Sequence, residues 1–242
     1  MKLVKKHLFW FVVVFGLFCF FSILAQAAGA GEAAQEVKRI TFWDNLKASG
    51  VIGLVIILLS VASVALIITF FVHIRRDELV PPDLLEHLTE LFESESYDEA
   101  LEVCETNPCW LSNVLAAGLR RIDAGYDEIE KAMREASDEE VERLNQRVGY
   151  LNLIANVAPM LGLLGTVYGM IVAFNTIASS QTQPRPGELA GGISMALMTT
   201  FLGLTVAIPV TAFYVFFRNQ IANAELEISA VTEELMERFR QS

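Results

Sequence analysis

The chain has 242 residues, 53% of them hydrophobic and only 19% charged, with a mean hydropathy of +0.44; soluble domains average about 25% charged residues, so this is membrane composition. The formal charge is nevertheless −11, from 29 acids against 18 bases, which disfavours a nucleic-acid binder because such binding rests on Lys and Arg neutralising phosphates. Three cysteines, Cys19, Cys104 and Cys109, are too few for a disulfide scaffold and lack zinc-ligand spacing.

The N-terminus begins Met1-Lys2-Leu3-Val4-Lys5-Lys6, continues through an apolar run from Leu8 to Leu24 and ends in Ala25-Gln26-Ala27. A basic start, an apolar centre and an A-x-A site predict a secretory signal peptide over 1–27; an uncleaved signal anchor is the other reading, because the apolar run is long. Either one leaves the segment 28–49 outside the cytoplasm. There Val37, Ile40, Phe42, Trp43 and Leu46 lie between Lys38-Arg39 and Lys47, the pattern of a short amphipathic helix on the outer bilayer surface.

Three further stretches, Ala48 to Ile74, Val148 to Pro184 and Leu189 to Phe217, contain no Asp, Glu, Lys or Arg. Each exceeds the ~20 residues that cross a bilayer. They predict transmembrane helices at 50–74, 148–178 and 189–217, with a periplasmic loop at 179–188. Arg75-Arg76, Arg143, Arg147 and Arg218 flank the spans and put the 75–147 domain and the 218–242 tail on the cytoplasmic side. Between Ile74 and Gly149 there are 20 acids and 8 bases, a charge of −12, against 9 and 10, or +1, elsewhere. The acidity thus belongs to one domain, as a solvated helical surface; a docking face for a basic partner has no patch pattern behind it.

That domain reads as helices. Pro81-Pro82-Asp83 starts one that carries Leu84, Leu85, Leu88, Leu91 and Phe92 at a period near 3.6. Tyr97 to Cys104 forms a second, broken by Asn107-Pro108, and Leu111 to Leu119 a third, ending near Ala124-Gly125. Cys104 and Cys109 are structural thiols of a reducing compartment. A fourth starts around Tyr126 to Ile129, and Ser137-Asp138-Glu139-Glu140 is either a new cap or its continuation into the second span. A helix from Ser137 through Ala178 would be roughly 60 Å long, and the third span continues in helical pattern through Ala222 to Phe239. The fold class is therefore all-α: an integral membrane protein with three transmembrane helices after a signal peptide, two of them long and extending into a cytoplasmic helical domain.

The second span places Ala155, Gly162, Thr166, Gly169 and Ala173 in one small-residue stripe, and the third places Gly192, Ala196, Thr200, Gly203 and Ala207 in another. Such stripes let helices approach closely in lipid, so Gly162, Gly165, Gly169, Gly192 and Gly203 are helix-packing residues. Pro159 and Pro209 are expected helix kinks whose freed carbonyls need partners. Each stripe carries a threonine. Thr166 and Thr200 either back-bond to their own helices or line a water-accessible or partner-facing groove.

An intramembrane acid is the usual proton carrier, and these two spans have none. Any ion-coupled role therefore needs a partner that brings the acid. Catalysis has no support: His7, His73 and His87 are scattered, no G-x-S-x-G or H-E-x-x-H occurs, and Gly162-Leu163-Leu164-Gly165-Thr166 belongs to a membrane helix, not to a phosphate loop. No cofactor or metal motif is present.

The run Ala158-Pro159-Met160-Leu161-Gly162-Leu163-Leu164-Gly165-Thr166-Val167-Tyr168-Gly169, with Gly192-Ile193-Ser194 through Gly203-Leu204-Thr205-Val206-Ala207-Ile208-Pro209, resembles the MotA/TolQ/ExbB proton channel family, nearest its ExbB/TolQ branch. The resemblance is specific over about 148–220 and weaker over Tyr97 to Leu119. It implies a bacterial inner-membrane motor subunit that forms a pentameric ring in the lipid bilayer. The ring surrounds an ExbD/TolR-like single-span protein whose membrane aspartate carries the proton, with Thr166 and Thr200 facing it. A TonB-like protein is a further implied partner, and TonB-dependent transport or envelope maintenance the implied work. Met195 stands where ExbB and TolQ typically carry glutamate, which keeps a structural scaffold without ion flow as the alternative. An enzyme acting on a lipid or envelope substrate is a third, poorer reading.

Overall fold

The computed structural model describes residues 50–179 and 186–240. The signal peptide read at 1–27, the amphipathic segment at 28–49 and most of the loop read at 179–188 lie outside them. The described residues form helices α1 (Gly50–His73), α2 (Arg76–Leu79), α3 (Pro82–Glu93), α4 (Tyr97–Thr106), α5 (Trp110–Leu119), a 3-10 turn (Ile122–Ala124), α6 (Tyr126–Ser179) and α7 (Pro186–Arg240), with no strand among them. Three of these, α1, α6 and α7, are long and apolar enough to cross a membrane. At 54 residues α6 is about 80 Å long: it starts at Tyr126, where the fourth helix is expected, and runs unbroken into the second span. Ser137 to Glu140 is a continuation and not a cap: Ser137 and Glu140 are both buried mid-helix. The prolines at 159 and 209 stand inside α6 and α7, which run on past them.

The described residues divide into two compact units, one of 61–155 and 210–240, the other of 50–60 and 156–209. In the first, short helices are delimited by local chemistry. Pro81, in extended conformation, precedes Pro82 at the first position of α3, where a missing N–H costs nothing. The same helix ends in a Schellman turn, with Glu95 at φ 56° and the Ser96 N–H donating to the Leu91 carbonyl at 3.0 Å. Asn107-Pro108 breaks the chain before α5, and the break is closed by side chains: Ser112 Oγ donates to the Asn107 carbonyl at 2.7 Å, and the Ser112 N–H to Cys109 Sγ at 3.4 Å. Gly125, at φ 95°, makes the turn into α6 that a side chain would strain.

Helix α5 is largely apolar and correspondingly central, with Trp110, Leu111, Val114, Leu115 and Leu119 buried. Gly118 lets α6 come close, since a Cβ there would stand 2.7 Å from Met133 Cγ and Sδ. Asn113 of α5 donates from Nδ2 to Glu140 Oε1 at 2.7 Å, while Arg143 Nη2 donates to the other carboxylate oxygen at 2.5 Å. Both oxygens of a largely buried acid are thus satisfied, the condition for its burial. Burial pushes the Cys104 thiol up to about 12, helped by Cys109 and Glu105 nearby.

The end of α1 is tied to α7 in the same unit. Gln220 Nε2 donates to the Ile74 carbonyl at 2.6 Å, filling an acceptor that a helix end leaves open. Arg76 Nε donates to both Glu227 carboxylate oxygens at 2.9 Å. A turn earlier on both helices, Phe71 meets Phe213, Phe216 and Phe217 at centroid distances of 4.9 to 5.8 Å, within the range of favourable ring pairs.

In the second unit, α6 and α7 run antiparallel along a seam of small residues. Its buried positions are Ala158, Gly162, Gly165, Gly169 and Ala173 on α6, against Gly192, Ala196, Thr199, Gly203 and Ala207 on α7. A Cβ at Gly203 would lie 2.6 Å from the Ala158 carbonyl oxygen, one at Gly169 would lie 2.7 Å from that of Gly192, and one at Gly162 would lie 3.0 Å from Thr200 Cα. Here backbone meets backbone, so a side chain has no room to rotate away.

Gly203→Ala and Gly169→Ala are expected to cost about 1–3 kcal/mol through overpacking, read as a fall in the melting temperature of the detergent-solubilised protein, whereas Gly191→Ala, with nothing within 4 Å of its added methyl, should leave that temperature unchanged or raise it. In the acidic unit, Asn113→Leu should lower stability by about 1–3 kcal/mol by stranding a Glu140 oxygen; Glu140→Gln, which keeps an acceptor for Asn113, should lower it less. Thiol alkylation of the native protein above neutral pH should modify Cys109 faster than Cys104, since burial keeps the latter protonated; peptide mapping by mass spectrometry measures the two rates.

Candidate functional site

The seam brings two hydroxyls of α7 onto one carbonyl of α6. Thr200 Oγ1 donates to the Gly162 carbonyl oxygen at 3.1 Å. Thr199 Oγ1 lies 3.4 Å from the same oxygen, but it is closer to the Ala196 carbonyl, at 2.9 Å, and one hydroxyl has one proton to give. Thr199 is fully buried, whereas Thr200 sits half-buried at the edge of the seam. Thr166 Oγ1 donates back to the Leu163 carbonyl at 2.6 Å, and this side chain too is half-buried.

These positions change the sequence-level stripe in two places. The buried line on α6 passes through Gly165, not Thr166, and the one on α7 through Thr199, not Thr200. In each adjacent pair both members are small, and successive residues differ by about 100° around a helix, so size alone does not say which one faces inward. Contact geometry does: a Cβ at Gly165 would fall 2.5 Å from Thr199 Cβ, 2.8 Å from its Cγ2 and closer still to its Oγ1. Thr199 therefore fills a notch that only glycine leaves open. Sequence reasoning passed over this residue; its spacing of seven from Gly192 and three from Ala196 is the signal that finds it.

Of the other singled-out residues, Gly162, Gly165, Gly169, Gly192 and Gly203 all lie in the contact, while Pro159 is half-buried and Pro209 exposed beside it. Met195 Cε stands 3.2 Å from where a Cβ of Gly50 would be, at the start of α1. Met195 thus makes an apolar contact there. Two faces away from the seam remain open and apolar, with Leu163, Leu164, Val167 and Leu197 more than half exposed. A groove on α7 is lined by Ala190, Ile193, Ser194, Leu197, Met198 and Phe201, without a titratable group. No cluster of His, Cys, Asp and Glu that could hold a metal occurs among the described residues. What the arrangement offers chemically is hydroxyl oxygens at the edge of an uncharged, close-packed helix pair.

Comparison with known proteins gives this geometry its context. The chain is 39% identical over 84 residues to the Tol-Pal system protein TolQ of Haemophilus influenzae, covering 35% of this chain and 36% of that protein. It is 30% identical over 207 residues to the biopolymer transport protein ExbB of Pseudomonas putida, covering 80% of this chain and 62% of the relative. The matched stretches thus span less than two thirds of these relatives' own length. Among solved structures, that of C. jejuni MotAB superposes with a TM-score of 0.58 at 16% identity, over 93% of this chain and 88% of that one, a likeness of fold. The sequence model of the MotA/TolQ/ExbB proton channel family matches residues 109–230, which include α5, all of α6 and the seam through Thr199 and Thr200: the chain belongs to the MotA/TolQ/ExbB proton channel family.

Proposed function

We propose that this chain is the ring-forming subunit of a proton-driven motor in the bacterial inner membrane. It works with a single-span partner of ExbD/TolR type that supplies the intramembrane carboxylate, and it powers TonB-dependent transport or envelope maintenance. The observation that carries the reading is the pair of half-buried hydroxyls, Thr166 and Thr200, on two spans that contain no acid of their own. Family membership supplies the class of chemistry, a proton channel, and the missing acid defines what the partner brings. Self-association as a pentameric ring is part of this reading, and the open apolar faces of α6 and α7, which copies would share with lipid, support it. The N-terminus is periplasmic in this reading, and the acidic helical unit cytoplasmic.

A chain of this kind needs no catalytic group. Its spans hold a partner helix, and its hydroxyls offer hydrogen-bonding oxygens at the level where the partner's carboxyl gains and loses its proton. The scaffold reading, without ion flow, draws on Met195, which removes the second acid from the ring.

Co-expression with a single-span protein of ExbD/TolR type and reconstitution into liposomes separates the two. Proton uptake driven by an imposed gradient is expected for the wild-type complex. Thr200→Val and Thr166→Val should assemble normally and each lower uptake about tenfold or more, the effect of raising the barrier by about 1.4 kcal/mol. A complex that assembles fully and moves no protons establishes the scaffold.

A further inference from the structure

Building on that reading, we infer that Thr199 is a positioning residue: seated in the notch at Gly165, it sets the rotation of α7 about its own axis and so aims the Thr200 hydroxyl. Three observations carry this. Thr199 is fully buried against a glycine at which any Cβ would collide with its Cβ and Cγ2 at 2.5 and 2.8 Å. Its own proton is spent within α7, on the Ala196 carbonyl at 2.9 Å, so its contribution across the seam is one of shape. The neighbouring Thr200, about 100° further round the helix, reaches the Gly162 carbonyl at 3.1 Å and stays half-buried at the seam edge. A turn of α7 that lifted Thr199 from the notch would carry Thr200 either into the backbone of Gly162 or away from its acceptor. The flanking contacts of Gly203 with Ala158 and of Gly192 with Gly169 hold the separation of the helices; being nearly featureless, they do not hold the angle. The one branched side chain in the buried line does.

A steric key makes a different demand from a hydroxyl on the ion path. Thr199→Val keeps the branched shape and removes the oxygen; Thr199→Ala removes the shape. In the reconstituted complex of full chain and single-span partner, Thr199→Val should keep proton uptake within about twofold of wild type, and Thr199→Ala should lower it roughly tenfold, in keeping with the cost of small misplacements. Gly165→Ala should also lower it, and the double change Gly165→Ala with Thr199→Ala should recover most of the loss, because the methyl introduced at 165 occupies the space vacated at 199. A readout independent of transport accompanies these. In a Thr200→Cys chain, the rate at which maleimide modifies position 200, followed by peptide mapping, should be unchanged by Thr199→Val and altered several-fold by Thr199→Ala.

The proposal is overturned if Thr199→Val is as damaging as Thr199→Ala, if the double change is no better than Gly165→Ala alone, or if the alkylation rate ignores both substitutions. Should Gly165→Ala fail to assemble, the valine–alanine comparison and the alkylation rates decide by themselves. A wild-type complex that carries no protons sinks the functional reading alone, since the alkylation rates still report on the key.

Discussion

The approach of two backbones is the constraint on which the membrane part of this protein depends. In lipid no hydrophobic force drives helices together, because the tails are as apolar as the side chains; van der Waals contact and polar groups across the interface do the work. Glycines at 162, 165, 169, 192 and 203 let α6 and α7 come near enough for the Ala158 and Gly192 carbonyl oxygens to lie where side chains would otherwise begin. A hydroxyl on a short side chain can cross to the other helix only at that separation. The 3.1 Å bond from Thr200 to the Gly162 carbonyl is therefore a product of the glycines, and the polar edge of the seam cannot be separated from its packing.

The acidic unit is built on the opposite principle. Its helices bury leucines, a tryptophan and phenylalanines and turn most of their carboxylates outward, and ion pairs such as Arg120 with Glu105 and Arg134 with Glu130 are at least half exposed on both sides. Pairs of that kind contribute little stability, so the charge serves solubility, not cohesion. Cohesion comes from α5, enclosed on all sides, and from the few places where polar groups are buried and fully matched. Glu140 with Asn113 and Arg143 is one; Gln220 on the Ile74 carbonyl is another. Each answers a demand that a helix or a carboxylate would otherwise leave unmet.

Much of this was legible in the residues. Uncharged stretches of spanning length mark α1, α6 and α7, and the Asn107-Pro108 break and Gly125 fall where the chain turns. These features are local: hydropathy over a span, a missing N–H, a φ that needs glycine. The extent of α6 was harder, because Ser137-Asp138-Glu139-Glu140 has the composition of a cap, and the contact that marks it as mid-helix, Glu140 with Asn113 of α5, is distant in sequence. The seam was harder again. Thr166 and Thr200 stand at helical spacing from their glycines as convincingly as Gly165 and Thr199 do, and the choice between neighbours depends on how two helices are rotated against one another, which neither helix's sequence states alone. The single clue lay across the pair: a β-branched side chain on one helix needs a glycine opposite it on the other.

That rotation bears on what the threonines can do for a partner. A hydroxyl has one proton and two lone pairs. Thr166 gives its proton to Leu163 and Thr200 gives its proton to Gly162, so what each has left to present at the edge of the seam is an acceptor. An acceptor suits a protonated carboxyl, which has a proton to donate, and repels a carboxylate, which offers only further lone pairs. In the proposed assembly the same hydroxyls would therefore hold the partner's acid when it is neutral and release it when it ionises, unless they first gave up their bonds to the backbone. Met195, packed toward Gly50, adds no charge to this balance. The distinction between the two protonation states then rests on two threonines whose protons are already committed within the helix pair.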